Sequence, residues 1–240
     1  MIEALTTFAA LFAGVVASVV AFGIGSILTP VLALEVSTPV AVAAASIPHL
    51  LGSSLRLWVL RSHVDWRVMR EFGAWSALGG LLGALLQSAL ASRILTLLFG
   101  VVVAWAGIAG LLRLAERSPI KGKWALVAGA ASGLLGGLVG NQGGIRTAAM
   151  LGLDVDKEVF VASATAVAVA VDLARVPVYI MTTGESIAAI TSLVALATLG
   201  VVAGTIAGLR WLSTLEGRTF RTMASLTVLA LGIYMLLQAL

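Results

Sequence analysis

The chain has 240 residues, of which 60% are hydrophobic and only 11% charged, and its mean hydropathy is +1.09. A soluble domain carries about 25% charged residues, so the composition excludes one and indicates an all-α polytopic membrane protein, a single transmembrane domain over residues 1–240. The net charge of +4 and pI near 10.1 would suggest nucleic acid as the partner of a soluble chain. Here Lys and Arg fall in short loops between apolar segments and read as topology determinants, with no nucleic-acid partner expected. Cysteine is absent, which removes disulfides, thiolate metal sites and cysteine-based catalysis.

Eight apolar segments follow one another. The first, about 4–34, begins after Met1-Ile2-Glu3, which lacks the basic start of a signal peptide, so the segment is expected to be retained. It runs to roughly 30 residues, about 45 Å as one helix against a hydrocarbon core of about 30 Å, and Gly14, Gly23 and Gly25 interrupt it. Segment two, about 38–60, carries Pro48 and His49 near its middle and Arg56 near its end. Segments three and four span about 71–90, with Gly79-x3-Gly83, and about 93–113. Segment five, about 124–153, is again too long and holds the polar run Gly140-Asn141-Gln142-Gly143-Gly144-Ile145-Arg146. Asp172 and Arg175 lie in segment six, about 158–181; segments seven and eight span about 186–210 and 219–239.

The interruptions correspond between halves. Gly14, Gly25, Ser53 and Arg56 match Gly133, Gly144, Asp172 and Arg175 at one constant offset, and Gly79-x3-Gly83 is echoed by Gly200-x3-Gly204. This predicts an internal duplication, with repeats over 1–116 and 117–240, as in many transporters. If all eight segments cross the membrane, the loop with Arg210, Arg218 and Arg221 falls opposite the loop with Arg61, Arg67 and Arg70 and that with Arg113, Arg117, Lys121 and Lys123, against the positive-inside bias. If segments one and five are re-entrant hairpins, all three basic loops become cytoplasmic, while both termini and a loop at Glu185 lie outside. Each half is then a Gly-rich hairpin plus three crossings, and the odd number inverts one half relative to the other. The expected tips are Phe22 to Ser26 and Val139 to Gly144.

At such a tip the backbone loses its helical partners and must face protein or an aqueous cavity. The arm beginning near Gly144 would aim free N–H groups at the tip, a ready site for an oxyanion. Gly143 and Gly144 permit close approach, Asn141 and Gln142 add donors, and Arg146 adds charge and a planar fork. The first tip offers the backbone of Gly23, Ile24, Gly25 and Ser26, and the Ser26 and Thr29 hydroxyls. His49 titrates near neutral pH and is a candidate for proton coupling, against a structural bond to a carbonyl freed by Pro48. Asp172 and Arg175, spaced i, i+3, read as an ion pair, with a gating role for Arg175 as the alternative. Arg56 reads as a snorkelling residue.

The two hairpin cores, Ala21-Phe-Gly-Ile-Gly-Ser-Ile-Leu-Thr-Pro30 and Gly137-Leu-Val-Gly-Asn-Gln-Gly-Gly-Ile-Arg146, together with the length and the eight segments, resemble the sulfite exporter TauE/SafE family of membrane permeases. The resemblance covers essentially the whole chain, and Gly-Asn-Gln-Gly-x-x-Arg is its most specific part. It implies a permease for a small oxyanion such as sulfite, a sulfonate or a small organic acid, in a bacterial inner membrane. The expected partners are that anion, the lipid bilayer and protons as coupling ion, and the apolar surface also allows a homodimer. The leading expectation is a secondary transporter, with an anion channel as the alternative. No Walker-type run, serine-hydrolase motif or H-E-x-x-H is present, so neither an enzyme nor a cofactor or metal is expected.

Overall fold

The computed structural model describes residues 1–87, 93–112, 122–139, 143–150 and 156–238, and these are helical almost throughout. The first apolar segment is two helices, α1 (Ile2–Val20) and α2 (Ile24–Leu32). Between them Ala21 takes left-handed backbone angles, φ 66°, and Gly23 lies at φ 132°, a region open mainly to glycine. After α3 (Thr38–Leu60) come a short 3-10 turn, α4 (Trp66–Val68), a π-helical turn over Met69–Gly73 and α5 (Ala74–Leu85). Next is α6 (Arg93–Leu111). The fifth segment is again two helices, α7 (Lys123–Val139) and α8 (Gly143–Met150). The chain closes with α9 (Lys157–Ala189), α10 (Thr191–Thr214) and α11 (Gly217–Gln238). The first over-long apolar segment is therefore interrupted at Ala21 to Gly23, next to and partly within the stretch Phe22 to Ser26 where the sequence places a tip; most of the second expected tip, Val139 to Gly144, lies outside the described residues.

Five helices among the described residues are long and apolar enough to cross a bilayer, and the chain is a multi-pass membrane protein. The longest, α9, has 33 residues, about 50 Å at 1.5 Å per residue. It corrects one sequence expectation: Glu185 sits in the last turns of this helix and not in a loop, and the chain reverses at Ile190 alone.

Lipid tails are as apolar as leucine, so helices in a membrane associate by close backbone approach more than by burial from water. Glycines set that approach here. A Cβ on Gly200 or Gly204 would run into the α1 backbone at Thr7 to Val15, and one on Gly14 into α10 at Val201 to Thr205. The counterpart seam joins α5 to α7: Gly79 and Gly83 lie on the backbone of Ala130 to Gly137, and Gly133 on that of Ser76 to Gly80. In both seams the residue numbers rise together, so α1 runs parallel to α10 and α7 parallel to α5. The remaining major contacts pair α6 with α11, α3 with α9, α9 with α5 and α3 with α10. Large apolar side chains such as Trp105, Met181, Leu199 and Leu226 are exposed on the outside of the bundle, as lipid-facing surface requires.

Candidate anion site

The α3–α9 pair brings the buried polar groups together. His49, Ser53 and Arg56 are spaced i, i+4, i+7 on α3, and Thr165, Asp172, Arg175 and Tyr179 fall on one face of α9; all but Tyr179 are among the buried polar side chains, and Tyr179 is fully buried too. His49 Nδ1 lies 2.5 Å from Asp172 Oδ2. The other carboxylate oxygen, Oδ1, accepts from Arg175 Nε and lies 2.9 Å from its Nη2. Arg175 also donates to the Gly136 carbonyl, and the Tyr179 hydroxyl donates to the Gly137 carbonyl at 2.6 Å. These two side chains hold the last turn of α7, where helix carbonyls lack intrahelical donors.

The start of α8 touches the turn between α1 and α2. Arg146, on α8, donates from Nη2 to the Ala21 carbonyl at 2.9 Å, and a Cβ on Gly143 would overlap that of Phe22. Glycine at 143 therefore lets the start of α8 rest on the turn between α1 and α2. Arg146 is 1% exposed, and among the described residues its Nε and Nη1 have no hydrogen-bond partner. Arg56, also 1% exposed, donates from Nε to Thr165 Oγ1 at 2.8 Å and from Nη2 to Ser53 Oγ at 3.2 Å, leaving Nη1 without a partner. The charges of Arg146 and Arg56 lie within range of one another, as do those of Arg146, Asp172 and Arg175.

Among the described residues, Arg56, Arg146 and Arg175 are the buried cations, and Asp172 is the buried acid. With His49 neutral, two positive charges remain unbalanced. An uncompensated charge away from water costs several kcal/mol, so the arrangement calls for an anion. It meets two conditions for one: buried guanidinium N–H groups without a partner, and the N-terminal end of α8, whose first amides have no intrahelical acceptor.

The model of the family described as Sulfite exporter TauE/SafE matches residues 6–235. The chain belongs to this family. Searches of curated proteins and of solved structures give no match. TauE/SafE membership implies a membrane transporter of sulfite- or sulfonate-type anions, the ligand chemistry that the buried arginines call for.

The structure sorts the site residues expected from the sequence. Gly23, Ile24, Gly25, Gly143 and Arg146 are buried around the two breaks, and Gly144 follows Gly143 in the first turn of α8. The Ile24 side chain belongs to an apolar cluster with Leu28 and Ala41, so this residue can offer the site only its backbone. Ser26 is partly buried in the first turn of α2. Asn141 and Gln142 lie outside the described residues. His49, Asp172 and Arg175 form one connected set, which makes Asp172, and not a carbonyl near Pro48, the partner of His49. Arg56 does not snorkel; it is buried and bonded across to α9. Sequence reasoning missed Arg56, Thr165 and Tyr179 as members of the cluster, although the matching of Arg56 to Arg175 was a usable signal.

Proposed function

We propose that the chain is a secondary transporter that binds one small oxyanion, such as sulfite, a sulfonate or a small organic acid, where the two chain breaks meet. The observation that carries this reading is Arg146, a fully buried guanidinium with two nitrogens free of partners beside the turn of the opposite half. Arg146 supplies charge and a two-pronged donor, the first turn of α8 at Gly143 and Gly144 supplies amide N–H groups, Asn141 and Gln142 add side-chain donors, and the backbone of Gly23 to Ser26 closes the other side. His49, Asp172 and Arg175 form the coupling and gating element, in which a change of His49 protonation alters the hold on the end of α7.

The same reading makes segments one and five re-entrant and the two halves inverted repeats. Lys157, at the start of α9, donates to the carbonyls of Ser213 and Leu215 at the end of α10. The Asp65 amide, just after α3, donates to Ser163 Oγ near the start of α9 at 2.8 Å. These contacts support one face for the loops carrying Arg61, Arg67, Arg210 and Arg218. Since α10 descends to that face and α1 runs parallel to it, α1 enters from the opposite face, and α3, which ends at the basic face, must start there too. The chain therefore dips and returns between Ile2 and Thr38. By the same logic α7 starts on the basic face and α9 begins there again. With basic loops inside, both termini lie outside the inner membrane.

A thermal-shift screen of the purified protein against sulfite, sulfate, sulfonates and small carboxylates tests the reading, because a ligand that prefers the folded state raises the melting temperature. The reading requires a hit among these anions that disappears in Arg146→Gln. In liposomes, coupled flux without net current beyond the transported charge separates a transporter from an anion channel.

A further inference from the structure

Arg175 and Arg56 occupy corresponding positions in the two halves, and so do Asp172 and Ser53. Their environments differ in one respect. Arg175 has a carboxylate, with Asp172 Oδ1 2.9 Å from Nε. Arg56 has in its place the hydroxyl of Ser53, 3.2 Å from Nη2, which accepts a hydrogen bond but carries no charge. Thr165, the other partner of Arg56, is also neutral. Among the described residues Arg56 is thus a cation with no carboxylate bonded to it and with Nη1 unpartnered, buried as deeply as its counterpart and within range of the Arg146 charge. Among the described residues, the groups whose charge bears on this pair are Asp172, already committed to Arg175 and His49, Arg175 itself and, on Arg146, His49 when protonated.

We propose that Arg56 is a second anion-binding residue, contributed by the first half, and that together with Arg146 it makes the site selective for doubly charged oxyanions over singly charged ones. The inference rests on the proposed anion site at Arg146. The two guanidinium groups repel each other, and, with His49 neutral, a ligand of charge −2 cancels the excess of positive charge that three buried arginines and one aspartate leave among the described residues. A monoanion leaves one charge uncompensated in a medium where charges are poorly screened. Because the two cations come from different halves, the ligand also ties those halves together.

Sulfate and methanesulfonate test this, since they present the same trigonal face of three oxygens and differ in charge. Titration of the purified protein at constant ionic strength should show sulfate binding about tenfold or more tightly than methanesulfonate, a difference of about 1.4 kcal/mol. Ser53→Asp gives Arg56 the carboxylate that Arg175 already has, and Arg56→Gln removes the charge. In whichever of these variants elutes as a folded protein, sulfate should lose much more affinity than methanesulfonate, so that the tenfold preference closes. Equal affinities in the wild type, or an unchanged ratio in the folded variants, would overturn the inference and leave the Arg146 site standing. Wild-type protein that binds neither anion, nor sulfite, would remove the Arg146 site and this inference with it.

Discussion

Arg146 reaches across the molecule to the carbonyl of Ala21, 2.9 Å from its Nη2. One residue lies on α8, in the fifth apolar segment, and the other in the turn that interrupts the first, so a side chain of one over-long segment caps the irregular backbone of the other. Irregular backbone inside a membrane survives only where protein or a cavity satisfies it. Here Arg146 satisfies a carbonyl of the turn between α1 and α2, and among the described residues its Nε and Nη1 keep no partner.

The contact between the breaks is sensitive to one methyl group. Gly143→Ala places a Cβ in overlap with Phe22, and overpacking of this kind costs about 1–3 kcal/mol. The expected outcome is a lower melting temperature together with weakened anion binding, measured by thermal unfolding and titration of the same preparation. Full binding in the variant would show that the two breaks can separate without consequence.

The glycine seams should respond according to position. Gly204→Ala meets the Leu11 carbonyl and should lower stability by roughly 1–3 kcal/mol. Gly217→Ala, with nothing within 4 Å, should be neutral or slightly stabilising, since alanine is the better helix former. Melting of the two variants side by side checks the seam, and equal effects would contradict it.

Asp172 is held by His49 and Arg175 at once. Asp172→Asn leaves Arg175 as an uncompensated buried charge and should cost about 3–5 kcal/mol. The double variant Asp172→Asn with Arg175→Gln should cost less than the sum of the two single variants. Additive losses would mean that the two residues do not form one unit. His49→Gln should leave anion binding in place and flatten the pH dependence of transport. A pH profile identical to that of wild type would reduce His49 to a packing residue.

Absence of cysteine in the natural chain makes it a clean background for topology. Single cysteines at Ser62 and Arg218, both exposed, should react with an impermeant thiol reagent only from the cytoplasmic side, and one at Glu185 only from outside. Labelling of Ser62→Cys and Arg218→Cys from opposite sides would restore eight simple crossings and end the inverted-repeat reading.

Much of this was legible in the sequence because the governing signals are local. Segments of about 30 apolar residues exceed a bilayer when straight, so each had to tilt or break, and the glycines marked Phe22 to Ser26 in the first, close to the turn at Ala21 to Gly23. Gly79-x3-Gly83 and Gly200-x3-Gly204 were legible as corresponding pairs in the two halves, and the structure adds that they sit at close helix crossings. Partnerships across the bundle were not legible. Nothing in the spacing of α3 indicates that His49 meets Asp172, a residue 123 positions away, or that Arg56 turns inward to Thr165 instead of toward the interface. An arginine one turn from a helix end looks the same in sequence whether it snorkels or is buried. The end of segment six also misled, because Thr182, Thr183, Gly184 and Glu185 read as a polar turn, whereas they continue α9. Local polarity does not end a helix whose backbone bonds remain intact.

Uptake of radiolabelled sulfite into proteoliposomes, measured for wild type, Arg146→Ala and Arg146→Lys with reconstituted protein quantified in each case, bears most directly on the central assignment. Wild-type protein should accumulate label above empty liposomes, the alanine variant should show none despite normal insertion, and the lysine variant should recover only part because the planar fork is gone. Wild-type rates in Arg146→Ala would contradict the assignment.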